Sequence, residues 1–282
     1  MADLPLMEYV KALENQPSAA RGRLVLAALE ALGIAATVQE CRWPRIKNII
    51  VDFSPGPGPR PLFSAHYDAV KGSPAANDNA SGVAVLLGLC NKLREAPAPV
   101  RVVFFDREEA WFRTPLLRLG LLGSLYYVLR SDLRRISAVY NLEFCGTGDL
   151  LGVWPVQDRQ RDLPAVTAVA RAAGQLKLDV GLAHLPWLLF SADHLSFRLL
   201  GLSNAITLSL LPAAQRPALE RLTSEVRIRQ LLLGRRPEIP EILSRIHTSG
   251  DTSSLLSEDS LRLMLSVLVE LLRGPSPARA DC

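Results

Sequence analysis

Apolar residues recur along this chain with two different periods, and the switches between them mark out its elements. Through residues 6–15 and 18–33 they fall every three to four positions, which predicts two opening helices, the second closed by Gly33 as a left-handed cap. The period shortens at Asn48–Phe53 (NIIVDF) and Leu62–Ala65, which read as strands. The intervening SPGPGPRP is too short for a domain linker and suits a turn, so these two strands are expected to be antiparallel neighbours. Ser81–Arg94 (SGVAVLLGLCNKLR) is apolar around most of its circumference, as a buried helix is, and Val100–Phe105 (VRVVFF) is a buried strand. The alternation continues with a helix at Leu121–Arg130, strands at Ala138–Phe144 and Leu150–Trp154, helices at 163–175 and near 191–200, a strand at 204–210 and an amphipathic helix at Ser260–Arg273. Strands alternating with helices predict an α/β fold with a mixed, mostly parallel central sheet and helices on both faces. Residues 213–245 keep a helical period interrupted by Gly-Arg-Arg-Pro, which predicts a helical insertion in a single domain spanning 1–273, and 274–282 reads as a disordered tail.

Composition sets limits on this picture. A chain of 282 residues, 49% of them hydrophobic and 21% charged, can bury a sizeable core without disulfides. Its net charge of +4 is spread over scattered arginines and short pairs such as Arg134-Arg135 and Arg235-Arg236, so it reads as a solvated basic surface and no nucleic-acid partner is expected. No apolar run approaches the ~18 residues of a membrane span, and MADLPLMEYVKALENQ lacks the apolar stretch and small-residue cleavage site of a secretory signal. The expectation is a cytoplasmic protein with no membrane partner. Cys41, Cys90, Cys145 and Cys282 stand far apart with no CxxC spacing and are read as free thiols.

Four histidines occur, and two of them stand in segments suited to a metal. His66-Tyr67-Asp68 ends a predicted strand, where residues two apart point to the same side, so Asp68 can lie beside the imidazole and orient it. Taken singly, such a triplet also fits an ordinary strand end. Asn77-Asp78-Asn79-Ala80-Ser81-Gly82 immediately precedes the buried helix; Asn and Asp are caps there, yet a carboxylate at such a junction can also bridge two cations. Phe105-Asp106-Arg107-Glu108-Glu109 places adjacent carboxylates at the end of an apolar strand, which is costly unless cations or solvent compensate them. Either this is a solvated acidic loop, or one Glu serves a metal and the other a metal-bound water. Glu143 sits in the strand-like Asn141-Leu142-Glu143-Phe144, where a buried carboxylate needs a partner, and His247, in HTSGDT, supplies the second imidazole. His184 and His194 lack this setting, and His184 is read as structural. Together the segments recur at the C-terminal ends of predicted parallel strands, where α/β folds place their sites. Two His with Asp and Glu, one Asp being shared, fit zinc at a two-metal hydrolytic site whose ions would stand about 3.5–4 Å apart.

In the order HYD, NDNASG, DREE, NLEF, ADHLSF, IHTSGDT the chain resembles the zinc aminopeptidase family that also contains glutamate carboxypeptidases and glutaminyl cyclases, and the resemblance runs from the N-terminal helices to the last helix. It implies the three-layer sandwich of zinc exopeptidases (phosphorylase/hydrolase-like), two zinc ions and a peptide or small amide substrate cleaved at its N-terminal bond. It also implies His66 and Glu143 as ligands of one zinc, Glu109 and His247 as ligands of the other, Asp78 as the bridge, Glu108 as general base and Asp68 as the partner of the histidine. Gly123-Ser124-Leu125-Tyr126 matches the family's Gly-Ser-x-Tyr segment. Three features depart from the pattern: Glu143 stands where Asp is usual, WFRTPLLRLGLL comes after the Glu pair, and 213–245 is longer than the usual connection. FFDREEAW and ADHLSF resemble the cyclase branch, which implies a single zinc on Asp78, Glu109 and His247, although Ile246 replaces that branch's Trp. An inactive binding module on the same fold is the third reading, against which every ligand position carries a competent side chain.

Overall fold

The computed structural model describes residues 5–53, 56–109, 112–113, 118–154, 160–182, 192–217 and 241–274. The strands among them are β1 Thr37–Cys41, β2 Ile46–Phe53, β3 Arg60–His66, β4 Val100–Phe105, β5 Phe112–Arg113, β6 Arg118–Leu119, β7 Ile136–Leu142, β8 Leu150–Trp154, β9 Val180–Leu182 and β10 Ala205–Leu211. Their helices are α1 Leu6–Leu13, α2 Ser18–Ala31, α3 Ser81–Glu95, α4 Leu122–Leu129, α5 Pro164–Leu176, α6 His194–Leu199, α7 Glu241–Ser244 and α8 Glu258–Arg273. Gly33 adopts a φ of 71° just beyond α2, and the Ile34 N–H turns back to the Leu29 carbonyl at 2.9 Å, the left-handed cap read from the sequence.

Eight strands form one sheet in the order β1-β2-β4-β3-β7-β10-β8-β9. Its centre, β4-β3-β7-β10, is parallel, and antiparallel pairs flank it through β2 and β8. Side chains on alternate positions divide between two cores, which makes the three layers. Val102 and Phe104 of β4 and Phe63 and Ala65 of β3 pack into the layer built by α1, α2, α3, α5 and α8. Val103 and Phe105, with Leu62, pack on the other face against Tyr127 and Val128 of α4 and Phe197 of α6. The mostly parallel α/β sandwich expected from the alternation of elements is therefore present.

One pairing differs from expectation. β2 and β3 are not neighbours: β4 lies between them, antiparallel to β2 and parallel to β3. Every residue of β3 is buried, so it takes parallel strands on both flanks, whereas β2 exposes Lys47 and Asp52 and stands nearer the rim beside β1. The turn before β3 carries the chain past a position that β4 fills later. β1 itself was not foreseen, because TVQEC has no apolar alternation and is only partly buried. The proposed insertion at 213–245 falls largely on 218–240, outside the described residues, as does 275–282. Among the described residues no helix is long and apolar enough to cross a membrane, and Cys41, Cys90 and Cys145 are free thiols.

Gly123 sits where α4 meets the turn after β4, and a Cβ there would overlap the main-chain oxygen of Asp106 and come 2.8 Å from Asn48 Oδ1. Gly174 in α5 has open space around the same position. Gly123→Ala is expected to cost about 1–3 kcal/mol through overpacking, whereas Gly174→Ala should be neutral or stabilise by up to about 1 kcal/mol. Urea midpoints of the two variants check this, and equal midpoints would contradict it.

Candidate metal centre

The carboxyl ends of β3, β4 and β7 lie side by side, and the chain leaving each one delivers a functional group to the same edge. His66 is the last residue of β3, Glu108 and Glu109 come just after β4, and Glu143 just after β7. Glu143 stays in register through its N–H, which donates to the Leu208 carbonyl at 3.0 Å.

Asp78 arrives on an irregular segment before α3 in which Ala75 is left-handed (φ 53°) and the Asp78-Asn79 peptide bond is cis. That backbone is held from several sides. The buried Arg21 guanidinium donates to the carbonyls of Leu13 (3.0 Å), Pro74 (2.9 Å) and Ala75 (2.7 Å). Asp251 accepts the N–H groups of Asn77 (2.7 Å) and Asp78 (3.1 Å). Asn79 donates to the Leu142 carbonyl at 2.7 Å and accepts from the Gly82 N–H at 3.2 Å. Asn79 thus does the capping work expected at this helix start, and the Asp78 carboxylate is left to face the imidazoles.

Its two oxygens point to different histidines. Oδ1 is 3.1 Å from His66 Nε2, and Oδ2 is 3.1 Å from His247 Nε2. Each of those nitrogens also faces a second carboxylate, Glu143 Oε2 at 3.4 Å from His66 and Glu109 Oε1 at 3.0 Å from His247. Two triads result, His66/Asp78/Glu143 and Asp78/Glu109/His247, and within each the donor atoms lie within 4.8 Å of one another. A third group under the same limit joins His66, Glu108 and Glu109. His66 Nδ1 lies 3.2 Å from the main-chain oxygen of Asp68 and 3.3 Å from its Oδ1, as the strand periodicity predicted. The Asp68 carboxylate also accepts the N–H groups of both Glu108 and Glu109 at 3.1 Å, so one side chain orients the imidazole and fixes the Glu pair.

Apart from half-buried His247, all of these side chains are buried. Burial pushes the Glu108, Glu109 and Glu143 carboxyls up, and neighbouring acids add to the effect. Asp78 is driven the other way: burial would raise it, but the two imidazoles hold it well below the usual carboxylate range. Burial would also lower His66 and His247, and the carboxylates outweigh it, holding His66 well up and pushing His247 up to about 10. Five buried carboxylates, those of Asp68, Asp78, Glu108, Glu109 and Glu143, against two imidazoles form a site that calls for further positive charge. A donor set of imidazole nitrogens and carboxylate oxygens, with one carboxylate shared, fits zinc.

Asp251, Arg21 and Asp193 were not singled out from the sequence. Asp251 lies in the quoted HTSGDT, but its position gave no sign that it ties down residues 77 and 78. Arg21 looks like any helix-surface arginine until α2 is docked. Asp193, fully buried just before α6, has its carboxyl pushed up to about 7, chiefly by burial. His194 belongs to none of these groups: its Nδ1 lies 2.7 Å from Thr207 Oγ1 and its ring is edge-on to Trp154. His184 lies outside the described residues.

Comparisons with known proteins identify the family and the fold. Residues 48–272 match the family profile of Peptidase family M28. Aminopeptidase YwaD of Bacillus subtilis is 39% identical over 89 residues, 30% of this chain and 18% of YwaD. BSAP, a zinc aminopeptidase from Bacillus subtilis, superimposes with a TM-score of 0.59 at 22% identity, covering 83% of this chain and 53% of BSAP. The glutaminyl cyclase of Porphyromonas gingivalis superimposes with a TM-score of 0.70 at 20% identity, covering 95% of this chain and 96% of the cyclase. This chain thus spans about half of BSAP, and at these identities the structural likeness shows the fold alone.

The site makes two measurements decisive. Because the carboxylates raise both imidazoles, zinc binding at pH 7 should displace protons from the two histidines, and any proton on the raised Glu109 and Glu143 carboxyls adds to the count. Titration calorimetry in buffers of different ionisation enthalpy counts them, and no release would refute the pairing. Arg21→Met should cost about 3 kcal/mol through lost charge-assisted hydrogen bonds and weaken zinc binding; unchanged zinc affinity would show that the guanidinium does not position Asp78.

Proposed function

Because the chain belongs to peptidase family M28, we propose that it is a two-zinc aminopeptidase that removes the N-terminal residue of peptides. The observation that carries this reading is Asp78, whose oxygens face two imidazoles, each flanked by its own second carboxylate. His66 and Glu143 would hold one zinc, Glu109 and His247 the other, with Asp78 bridging. Zinc, when bound, supplies Lewis acidity to the scissile carbonyl and lowers the pKa of a water towards ~7.

The protein's own groups do the rest. Glu109, not Glu108, stands 3.0 Å from His247, which leaves Glu108 as the base. Glu108 takes the proton of the attacking water and returns it to the leaving amine. Its carboxyl is raised first by burial, His66 opposes the rise, and Glu109, Glu143 and Asp193 add to it. Asp68 holds the backbone of both glutamates in place by accepting their N–H groups.

A second reading, a single-zinc glutaminyl cyclase using Asp78, Glu109 and His247, draws on the end-to-end likeness to the Porphyromonas gingivalis enzyme. Glu143 beside His66 counts against it, because it completes a second triad that a single ion does not need.

The aminopeptidase reading expects two zincs per chain by metal analysis, falling to one in Glu143→Ala. It also expects Glu108→Gln to retain both ions while turnover of aminoacyl-anilides drops by about 10²–10⁴-fold. Undiminished turnover in Glu108→Gln would remove Glu108 as the base. One zinc, with release of ammonia from N-terminal glutaminyl peptides, would establish the cyclase reading instead.

A further inference from the structure

A cleft of roughly 900 Å³ opens from the metal centre on the Glu109 side, between the first turns of α2, the β1-β2 hairpin and the loop after β3. Asp68 and Glu109 form its inner end, and Ile49 and Tyr67 lie along its apolar wall. Its rim is basic: Arg23 comes from α2, Arg45 and Lys47 from the hairpin, Lys71 from the loop after β3, and Arg107 from the turn before the Glu pair. Four acids line the same cleft: Asp68 and Glu109 lie at the end facing the candidate metal ligands, and Glu40 and Asp106 stand among the five cations of the rim. Glu40 is engaged by Lys47 at 2.9 Å, and Asp106 accepts the Lys47 N–H at 3.0 Å, its carboxyl pushed up to about 6, chiefly by burial. Arg107 is directed along the rim by donating to the Arg45 carbonyl at 3.0 Å. Arg23, Arg45 and Lys71 are exposed and have no acidic partner among the described residues, so their charge faces the cleft mouth uncompensated.

Volume and charge together specify an occupant. A space of this size takes a ligand far larger than one side chain. An aminopeptidase substrate has a single residue on the amino side of the bond it loses, so a large cleft leading away from the metals suits the longer stretch of peptide on the carboxyl side. Positive groups lining one side of a cleft with apolar walls concentrate anionic ligands within it. We propose that this cleft receives the leaving portion of acidic peptides, with the arginines and lysines of its rim selecting Asp and Glu just downstream of the scissile bond. The proposal rests on the aminopeptidase reading for the direction of the chain.

The test uses the zinc-loaded protein and three peptides sharing an N-terminal residue and scissile bond, with Glu-Glu, Ala-Ala or Lys-Lys after that bond. The aminoacyl-anilide of the same N-terminal residue, which lacks a leaving chain, is the reference. The expected order of kcat/KM is acidic, neutral, basic, with about a tenfold gap between the first two at low salt. The gap should shrink as ionic strength rises towards about 0.5 M, since the rim charges are exposed. In the combined variant Arg23→Glu, Arg45→Glu, Lys71→Glu the order should invert. As a readout independent of turnover, fluorescence anisotropy of the C-terminally labelled acidic peptide on zinc-loaded Glu108→Gln protein should report binding that the charge-reversed background weakens by at least about tenfold. Turnover of the anilide with equal kcat/KM for the three peptides, or an order unchanged by charge reversal, would overturn the cleft proposal and leave the aminopeptidase reading standing. No turnover of the anilide or of any peptide would overturn both.

Discussion

A buried carboxylate keeps its charge only where positive groups surround it, and the site is organised around meeting that condition at Asp78. One oxygen faces His66 and the other His247. Because the same side chain must serve both, its position tolerates little error, and the backbone carrying it is fastened by groups from distant parts of the chain. Arg21 takes the carbonyls of Pro74 and Ala75, Asp251 takes the N–H groups of residues 77 and 78, and Asn79 reaches the end of β7. The candidate ligands are therefore fixed by tertiary structure as a whole, and no single element carries the cluster.

The sheet's mixed topology divides the work around that point. The parallel strands β3, β4 and β7 end at one edge and deliver His66, the Glu pair and Glu143 together. β2 runs the opposite way, so it begins where β4 ends, and the hairpin joining it to β1 stands beside the Glu pair. An antiparallel strand at that position is what brings Arg45 and Lys47 within reach of the metal centre. A wholly parallel arrangement would have placed the start of β2 at the far edge of the sheet.

Much of the centre was legible in the sequence because its residues stand where strong local patterns stop. VRVVFF announces a buried strand, so Glu108 and Glu109 directly beyond it must lie at a strand end, and SGVAVLLGLC places Asp78 just before a buried helix start. Contacts made only on folding were not legible. Asp68 was foreseen beside His66 because both belong to one strand end, but its hold on the N–H groups of Glu108 and Glu109 depends on how β4 docks against β3. The same limit explains the strand pairing: a short turn between β2 and β3 suggested a hairpin, and nothing local reveals that β4 will come between them. β1 escaped notice because an edge strand with one partner needs no regular apolar alternation.

The helices before residue 48 lie outside the matched family profile, yet they are part of the site's construction. Burial draws the Arg21 guanidinium below its usual value, and Asp78, Asp68, Asp251 and Glu109 act in the opposite direction, so the group shares a field with the acids of the centre. It supplies a fixed positive charge that no metal exchange removes. Glu14, just beyond α1, accepts both the N–H (2.9 Å) and the hydroxyl (2.6 Å) of Ser253, which steadies the segment carrying Asp251 and, before it, His247. Glu258 at the start of α8 in turn accepts the free N–H groups of Leu6 (3.0 Å) and Met7 (2.7 Å), closing a circuit between the first and last helices. The first and last helices therefore meet beside the loops that present Asp78 and His247. A substitution in α1 or α2 is therefore expected to reach the His and carboxylate cluster through those loops, although neither helix supplies a candidate ligand.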